Sequence, residues 1–187
     1  MTNHLLRTLT SIALGLGAAA AAAGEAPLLP PDLQGTLATS DYGMVATGSP
    51  EATRAGVEIL EQGGNAIDAA VAAALALGVA DADASGLAGA TLALVRLADG
   101  PTIAVDGSSR TPSFLDLEKL KEMKEAGRNY GYETVAVPAT LAALEHMRSR
   151  FGTMSFAELV APAIAIAEQG YALSAIQIAW TEHYYDN

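Results

Sequence analysis

The polar and apolar positions mark out a mixed helical and strand chain. Tyr42-Gly-Met-Val-Ala-Thr47 predicts a short strand. Ser49-Pro50-Glu51 then predicts a helix start, with a Ser N-cap, Pro at the first helical position and an acid in the first turn. That helix should reach about Gln62 and stop at Gly63-Gly64. Asn65 should cap a second helix, with Asp68 in a capping-box position. Ala66 to Leu77 is apolar on nearly every face, which predicts a helix buried on more than one side.

Ala90 to Leu97 and Thr102 to Val105 flank Ala98-Asp99-Gly100-Pro101 and predict a hairpin, with Pro101 arguing against a regular two-residue turn. Helices are expected over about Leu115 to Ala126, Ala139 to Arg150 and Ser155 to Gln169, the last kinked or split at Pro162. A short strand is expected at Thr134 to Val137. Without strict alternation of strand and helix, this order indicates a layered fold of both element types.

The first segment has a separate character. Arg7 precedes the apolar run from Leu9, and Ala18 to Ala23 supply small residues at every cleavage position. Residues 1–23 therefore read as a signal peptide, since the run is short of the roughly 20 apolar residues that a membrane span needs. Residues 24–40 read as a Pro-rich leader, and 41–187 as the folded part. The expected destination is the periplasm or the cell exterior, with no membrane span after cleavage.

Composition then removes several functions. The chain has 187 residues, 51% of them hydrophobic, and a formal net charge of −11. That hydrophobic content argues for a packed core rather than disorder, and the acidic balance argues against nucleic acid as a partner. Cysteine is absent, which excludes disulfides, thiolate nucleophiles and iron–sulfur ligation. The three histidines, His4, His146 and His183, have no metal-binding spacing, and His146 lies on a polar helical face expected to be solvated. Asp81-Ala-Asp83-Ala-Ser85-Gly86 imitates the start of a calcium loop, but the position that should carry a bidentate Glu is Leu92. No metal and no cofactor are expected. The loop Asp106-Gly-Ser-Ser-Arg110-Thr-Pro112 is the best ligand-binding candidate, because Arg110 offers a planar fork suited to a carboxylate.

Thr47 to Gly78, and within it Gln62-Gly-Gly-Asn-Ala-Ile-Asp-Ala-Ala-Val71, closely resembles the opening of the γ-glutamyltransferase (γ-glutamyltranspeptidase) family. Leu97-Ala-Asp-Gly100, Val105-Asp-Gly107, Ala136-Val-Pro138, Phe151-Gly-Thr153, Leu159 to Ile164 and Ala167 to Tyr171 follow in the family's order. The resemblance spans about residues 41 to 175. It implies an α+β fold, the four-layer αββα N-terminal-nucleophile hydrolase fold, with only its N-terminal portion present. Family members cut themselves into two subunits, and the new N-terminal Thr attacks a γ-glutamyl amide, its own amine serving as base.

The chain departs from that pattern twice. None of Thr134, Thr140 and Thr153 sits in the family's processing motif, so no catalytic residue is expected here and the chain alone should be inactive. The family's substrate-gripping Arg falls at Ser108, while an Arg appears two places later as Arg110. The resemblance thus makes Arg110 and Ser108 the expected substrate-binding residues. The expected partners are a small γ-glutamyl or related amide and the small subunit or remainder of a proenzyme. Two alternatives stay open: a non-catalytic periplasmic binding or scaffold module, and a piece of a divergent amidohydrolase or acylase of the same superfamily.

Overall fold

The computed structural model describes residues 38–127 and 134–185. The signal-peptide assignment and the leader up to residue 37 lie outside the described residues. From Asp41 onward the chain gathers into one compact unit. Its helices are α1 (Pro50–Glu61), α2 (Ala66–Ala80), α3 (Leu117–Glu125), α4 (Thr140–Phe151), α5 (Phe156–Gln169) and α6 (Ala175–Tyr185). Between α2 and α3 lies an antiparallel hairpin of β1 (Thr91–Arg96) and β2 (Thr102–Gly107), in a register that sets Thr91 against Gly107 and Arg96 against Thr102.

Helix α2 is the axis of the core. Val71, Ala72, Leu75 and Ala76 are all closed to solvent, and α1, α5 and α4 pack around it. A helix this apolar is stable only when surrounded, and each large apolar side chain so buried contributes about 1.5–3 kcal/mol. Its alanines let α1 approach closely: a Cβ on Gly56 would lie 3.1 Å from the Ala69 carbonyl oxygen and 3.2 Å from Ala73 Cβ. The hairpin adds Val95 and Val105 to the same core and rests on α4.

Both predicted caps at the α1–α2 corner form. Ser49 Oγ accepts from the Ala52 N–H, and Gly63 ends α1 with φ +91°. Asn65 Oδ1 accepts from the Ile67 and Asp68 N–H groups at 2.8 and 3.0 Å, while Asp68 accepts from the Asn65 N–H at 2.9 Å. Asp68 goes beyond a cap. Fully buried, it also accepts the Thr153 hydroxyl at 2.6 Å and the N–H groups of Thr153 and Met154 at 3.0 and 3.3 Å. Gly152 makes this approach feasible, since a Cβ there would meet Asp68 Oδ1 at 2.5 Å and the Arg148 carbonyl at 2.7 Å. At the other end of α2, the Tyr171 hydroxyl and the Gln177 side-chain amide donate to the carbonyls of Val79 and Ala80. These carbonyls would otherwise lack partners.

Several elements differ from the expectation. Tyr42 to Thr47 forms no strand, because no neighbouring chain among the described residues completes a ladder. It lies along the helices instead, with Val45 packed on the core. The expected strand at Thr134 to Val137 reduces to one antiparallel bridge between Val137 and Arg110. Asp116 caps α3 through the Lys119 N–H, so that helix begins later than expected. Pro162 does not split α5: Leu159 and Ala163, buried against the core, hold the helix through the single lost hydrogen bond.

Burial, the largest influence on the Asp68 carboxyl, raises its pKa. The hydrogen bonds from Thr153, Asn65 and Met154 outweigh it and hold the group below its usual value. The folded chain therefore binds this proton less readily than the unfolded chain. The stability gained is complete above the unfolded pKa of about 4 and is lost as the pH falls through the lower folded value. Asp68→Asn, whose amide would confront a ring of donors, is expected to cost about 2–4 kcal/mol in urea denaturation at pH 7. A loss below about 1 kcal/mol would show that the carboxylate is not the clamp.

Candidate functional site

The loop after β2 begins where the strand presses hardest on α4. A Cβ on Gly107 would sit 2.5 Å from Ala143 Cβ and 2.8 Å from the Thr91 carbonyl oxygen, so only glycine lets the chain pass. Beneath it the N-terminus of α4 has no side-chain cap. Its Ala139 and Thr140 N–H groups donate to the Gly89 carbonyl at 3.1 and 3.2 Å. Helix and hairpin are further tied by Thr91 Oγ, 3.0 Å from Thr140 Oγ.

Past Gly107 the loop is organised by Asp106. Its Oδ1 accepts the Ser108 N–H at 3.0 Å and the Ser108 hydroxyl at 2.6 Å. Chiefly through the hydroxyl and then the N–H, these bonds hold the Asp106 carboxyl below its ordinary pKa, with the nearby Arg110 charge acting in the same direction. The Arg110 backbone is anchored in turn, donating to the Val137 carbonyl at 3.3 Å and accepting from its N–H at 2.7 Å. The guanidinium itself is exposed and has no hydrogen-bonding or ion-pair partner among the described residues.

The two predicted residues share one cleft of about 410 Å3. Asp106, Ser108 and Arg110 form one wall, and Pro138, Ala142 and His146 form the other. The parity is informative. In extended chain, every second residue faces the same way. Asp106, Ser108 and Arg110 are exposed and line the cleft together, with Gly107 buried between them and Ser109 half-buried. His146 is exposed, as expected, yet it also lines the cleft. Sequence reasoning missed that role. The available signal was helical spacing, since Ala139, Ala142, Ala143 and His146 share a face.

Elsewhere the chemistry is sparse. A larger groove of about 610 Å3, between residues 42–47 and helices α1 and α2, is walled by alanines and has Tyr42 as its one titratable lining residue. Thr140 and Thr153 are both committed, Thr140 to Thr91 and Thr153 to Asp68. Asp81 ends α2, and its carbonyl accepts from Ala84 and Ser85; among the described residues no three His, Asp or Glu side chains converge as a metal site would require. No helix among the described residues is long and apolar enough to cross a membrane.

Removing the Ser108 hydroxyl tests this loop directly. In Ser108→Ala the Asp106 carboxyl is expected to titrate closer to its ordinary value of about 3.9. Carbon-detected NMR of the carboxyl through a pH series reads this, and an unmoved midpoint would mean that the hydroxyl does not organise the loop.

Comparison with known proteins gives a consistent result. A family model described as Gamma-glutamyltranspeptidase matches residues 52–187. An Acylase ACY 1 proenzyme from Pseudomonas sp. (strain V22) is 38% identical over 147 residues, covering 73% of this chain and 26% of that protein. A glutathione hydrolase proenzyme from Bacillus subtilis (strain 168) is 38% identical over 143 residues, covering 72% and 24%. The crystal structure of Helicobacter pylori gamma-glutamyltranspeptidase superimposes with a TM-score of 0.68 at 34% identity, covering 79% of this chain and 43% of that one. The chain thus spans about a quarter of the length of the curated relatives it matches. Its α+β architecture is part of the N-terminal-nucleophile hydrolase fold.

Proposed function

The chain belongs to the gamma-glutamyltranspeptidase family, and from that membership we propose that it is the N-terminal part of a secreted or periplasmic enzyme that moves a γ-glutamyl or related acyl group from an amide to an amine or to water. Arg110 holds the carboxylate of the acyl group, and Ser108 lines the same pocket. The observation that carries this reading is the guanidinium left without a hydrogen-bonding or ion-pair partner among the described residues, in a cleft whose backbone is fixed by Asp106 on one side and Val137 on the other. An anchored loop presenting a planar five-donor fork is suited to bidentate carboxylate binding.

The chemistry itself belongs to residues beyond this chain. A Thr hydroxyl attacks the amide carbonyl, the amine leaves with the transferred proton, and an ester holds the acyl group until an amine or water takes it. Two of the threonines weighed for this role have other tasks. Thr153 donates its hydroxyl to a buried carboxylate, and Thr140 sits buried in the first turn of α4. On this reading the chain alone is inactive and acts with the remainder of a proenzyme.

A second reading, a divergent amidohydrolase or acylase, is favoured by Ser108 at the family's Arg position and by the similarity to Acylase ACY 1. It uses the same cleft with a different acyl group. The secreted location rests on the composition of residues 1–23.

The purified chain is expected to release no p-nitroaniline from γ-glutamyl-p-nitroanilide. It should nevertheless bind glutamine in calorimetry, with affinity falling about tenfold in Arg110→Ala. Enzyme-dependent release of the chromophore would sink the placement of the nucleophile elsewhere, and glutamine binding unaffected by Arg110→Ala would sink the role of the guanidinium.

A further inference from the structure

The far wall of the Arg110 cleft carries a second group that nothing so far employs. His146 is exposed on α4, on the same face as Ala139, Ala142 and Ala143, and all four line the cleft. The three alanines leave the floor low between the two ends. Arg110 is bridged to Val137, next to the start of this floor, and His146 lies seven residues beyond Ala139, about 10 Å along the helix. The neighbouring charges are already engaged: Arg148 grips Glu145 with two hydrogen bonds of 2.7 Å, and Asp106 is held by Ser108. The imidazole has no partner among the described residues, and only the His146 backbone carbonyl is used, by the Ser149 hydroxyl.

We propose that His146 is a specificity-determining residue of this cleft: it binds a second acidic group, carried on the amine side of the amide substrate, while Arg110 holds the carboxylate on the acyl side. The inference rests on the reading of Arg110 as the carboxylate-binding group and adds the class of substrate. The cleft favours an extended amide with an acid at each end over one with a single acid. An imidazole donates one hydrogen bond when neutral and carries a positive charge when protonated, and both states favour a carboxylate. A ligand whose amide lies over the alanine floor meets no side chain there larger than a methyl group. Its two ends are then read independently.

The test is calorimetric, on the full chain, with γ-glutamylglycine as the two-acid probe and glutamine as the one-acid probe. The wild-type chain is expected to bind γ-glutamylglycine about five- to tenfold more tightly than glutamine. His146→Ala should bring that ratio to near one and leave glutamine binding unchanged, and His146→Lys should restore the preference. Arg110→Ala should weaken both ligands together. If both ligands bind and depend on Arg110 while the ratio ignores His146→Ala, the proposal is overturned and the Arg110 reading stands. If neither ligand binds the wild-type chain, both fall. A loss of glutamine affinity in His146→Ala would show a structural role for the imidazole and also overturn the proposal.

Discussion

One buried carboxylate sets the geometry of most of this chain. Asp68 accepts from Asn65 at the start of its own helix and from Thr153 and Met154 eighty-five and eighty-six residues later. Desolvating an ionised carboxylate is costly unless its oxygens are fully engaged, and here they are. The arrangement leaves little freedom around it. Asn65 extends the same clamp by donating to the Phe151 carbonyl at 2.7 Å. The end of α4 and the start of α5 are therefore pinned to the N-terminus of α2. Because α4 is also the floor of the cleft, the position of His146 relative to Arg110 follows partly from a carboxylate at the opposite end of the helix.

Around that clamp the packing runs on small side chains. Ala69, Ala72, Ala73 and Ala76 bring α1, α4 and α5 close to α2, so the helical layer is dense although few of its side chains are large. The hairpin is different. Val95 and Val105 face the helices, whereas Leu92 and Leu94 point outward at 74% and 77% exposure. A two-stranded sheet with apolar residues on both faces is a sheet suited to a second covering layer. This agrees with a chain that spans about a quarter of its relatives and carries only part of their fold. It also weighs against a free-standing scaffold, which would gain nothing from an open leucine face.

Short-range rules make much of this arrangement legible in the amino-acid order. The caps at Ser49 and Asn65, the break at Gly63 and the burial of α2 are each fixed by residues within one or two turns, and all four form. The long-range consequences are not legible in the same way. Asp68 reads as a helix cap in sequence because its Thr153 partner is far away in the chain. Tyr42 to Thr47 has a strand's composition, but composition supplies no ladder partner. Helix α6 escapes a reading by periodicity although Ser174-Ala-Ile-Gln177 is a capping-box pattern, with Ser174 N–H donating to Gln177 and Gln177 N–H to Ser174. Its weak amphipathic pattern hides it, because Gln177 faces inward to serve the Ala80 carbonyl while Trp180 and Tyr184 stack outside.

The arginine that the proposed function reads as displaced from position 108 is best understood through the same geometry. Position 109 is half-buried and shares the alternation that sets Gly107 against Ala143 of α4, whereas position 110 is exposed like Asp106 and Ser108. Moving two places preserves the face. It also lengthens the path from Gly107, the position wedged against Ala143, so the charge acts farther from the hairpin and closer to Val137. Ser108 then fills the vacated position and turns its hydroxyl onto Asp106, stiffening the loop that Arg110 depends on. On the proposed function, this arrangement divides two tasks, one residue organising the loop and the other presenting the cation, and it sets where in the cleft an acyl carboxylate would sit. On that reading, a shift of this kind would change which acyl groups fit while leaving the fold around them untouched.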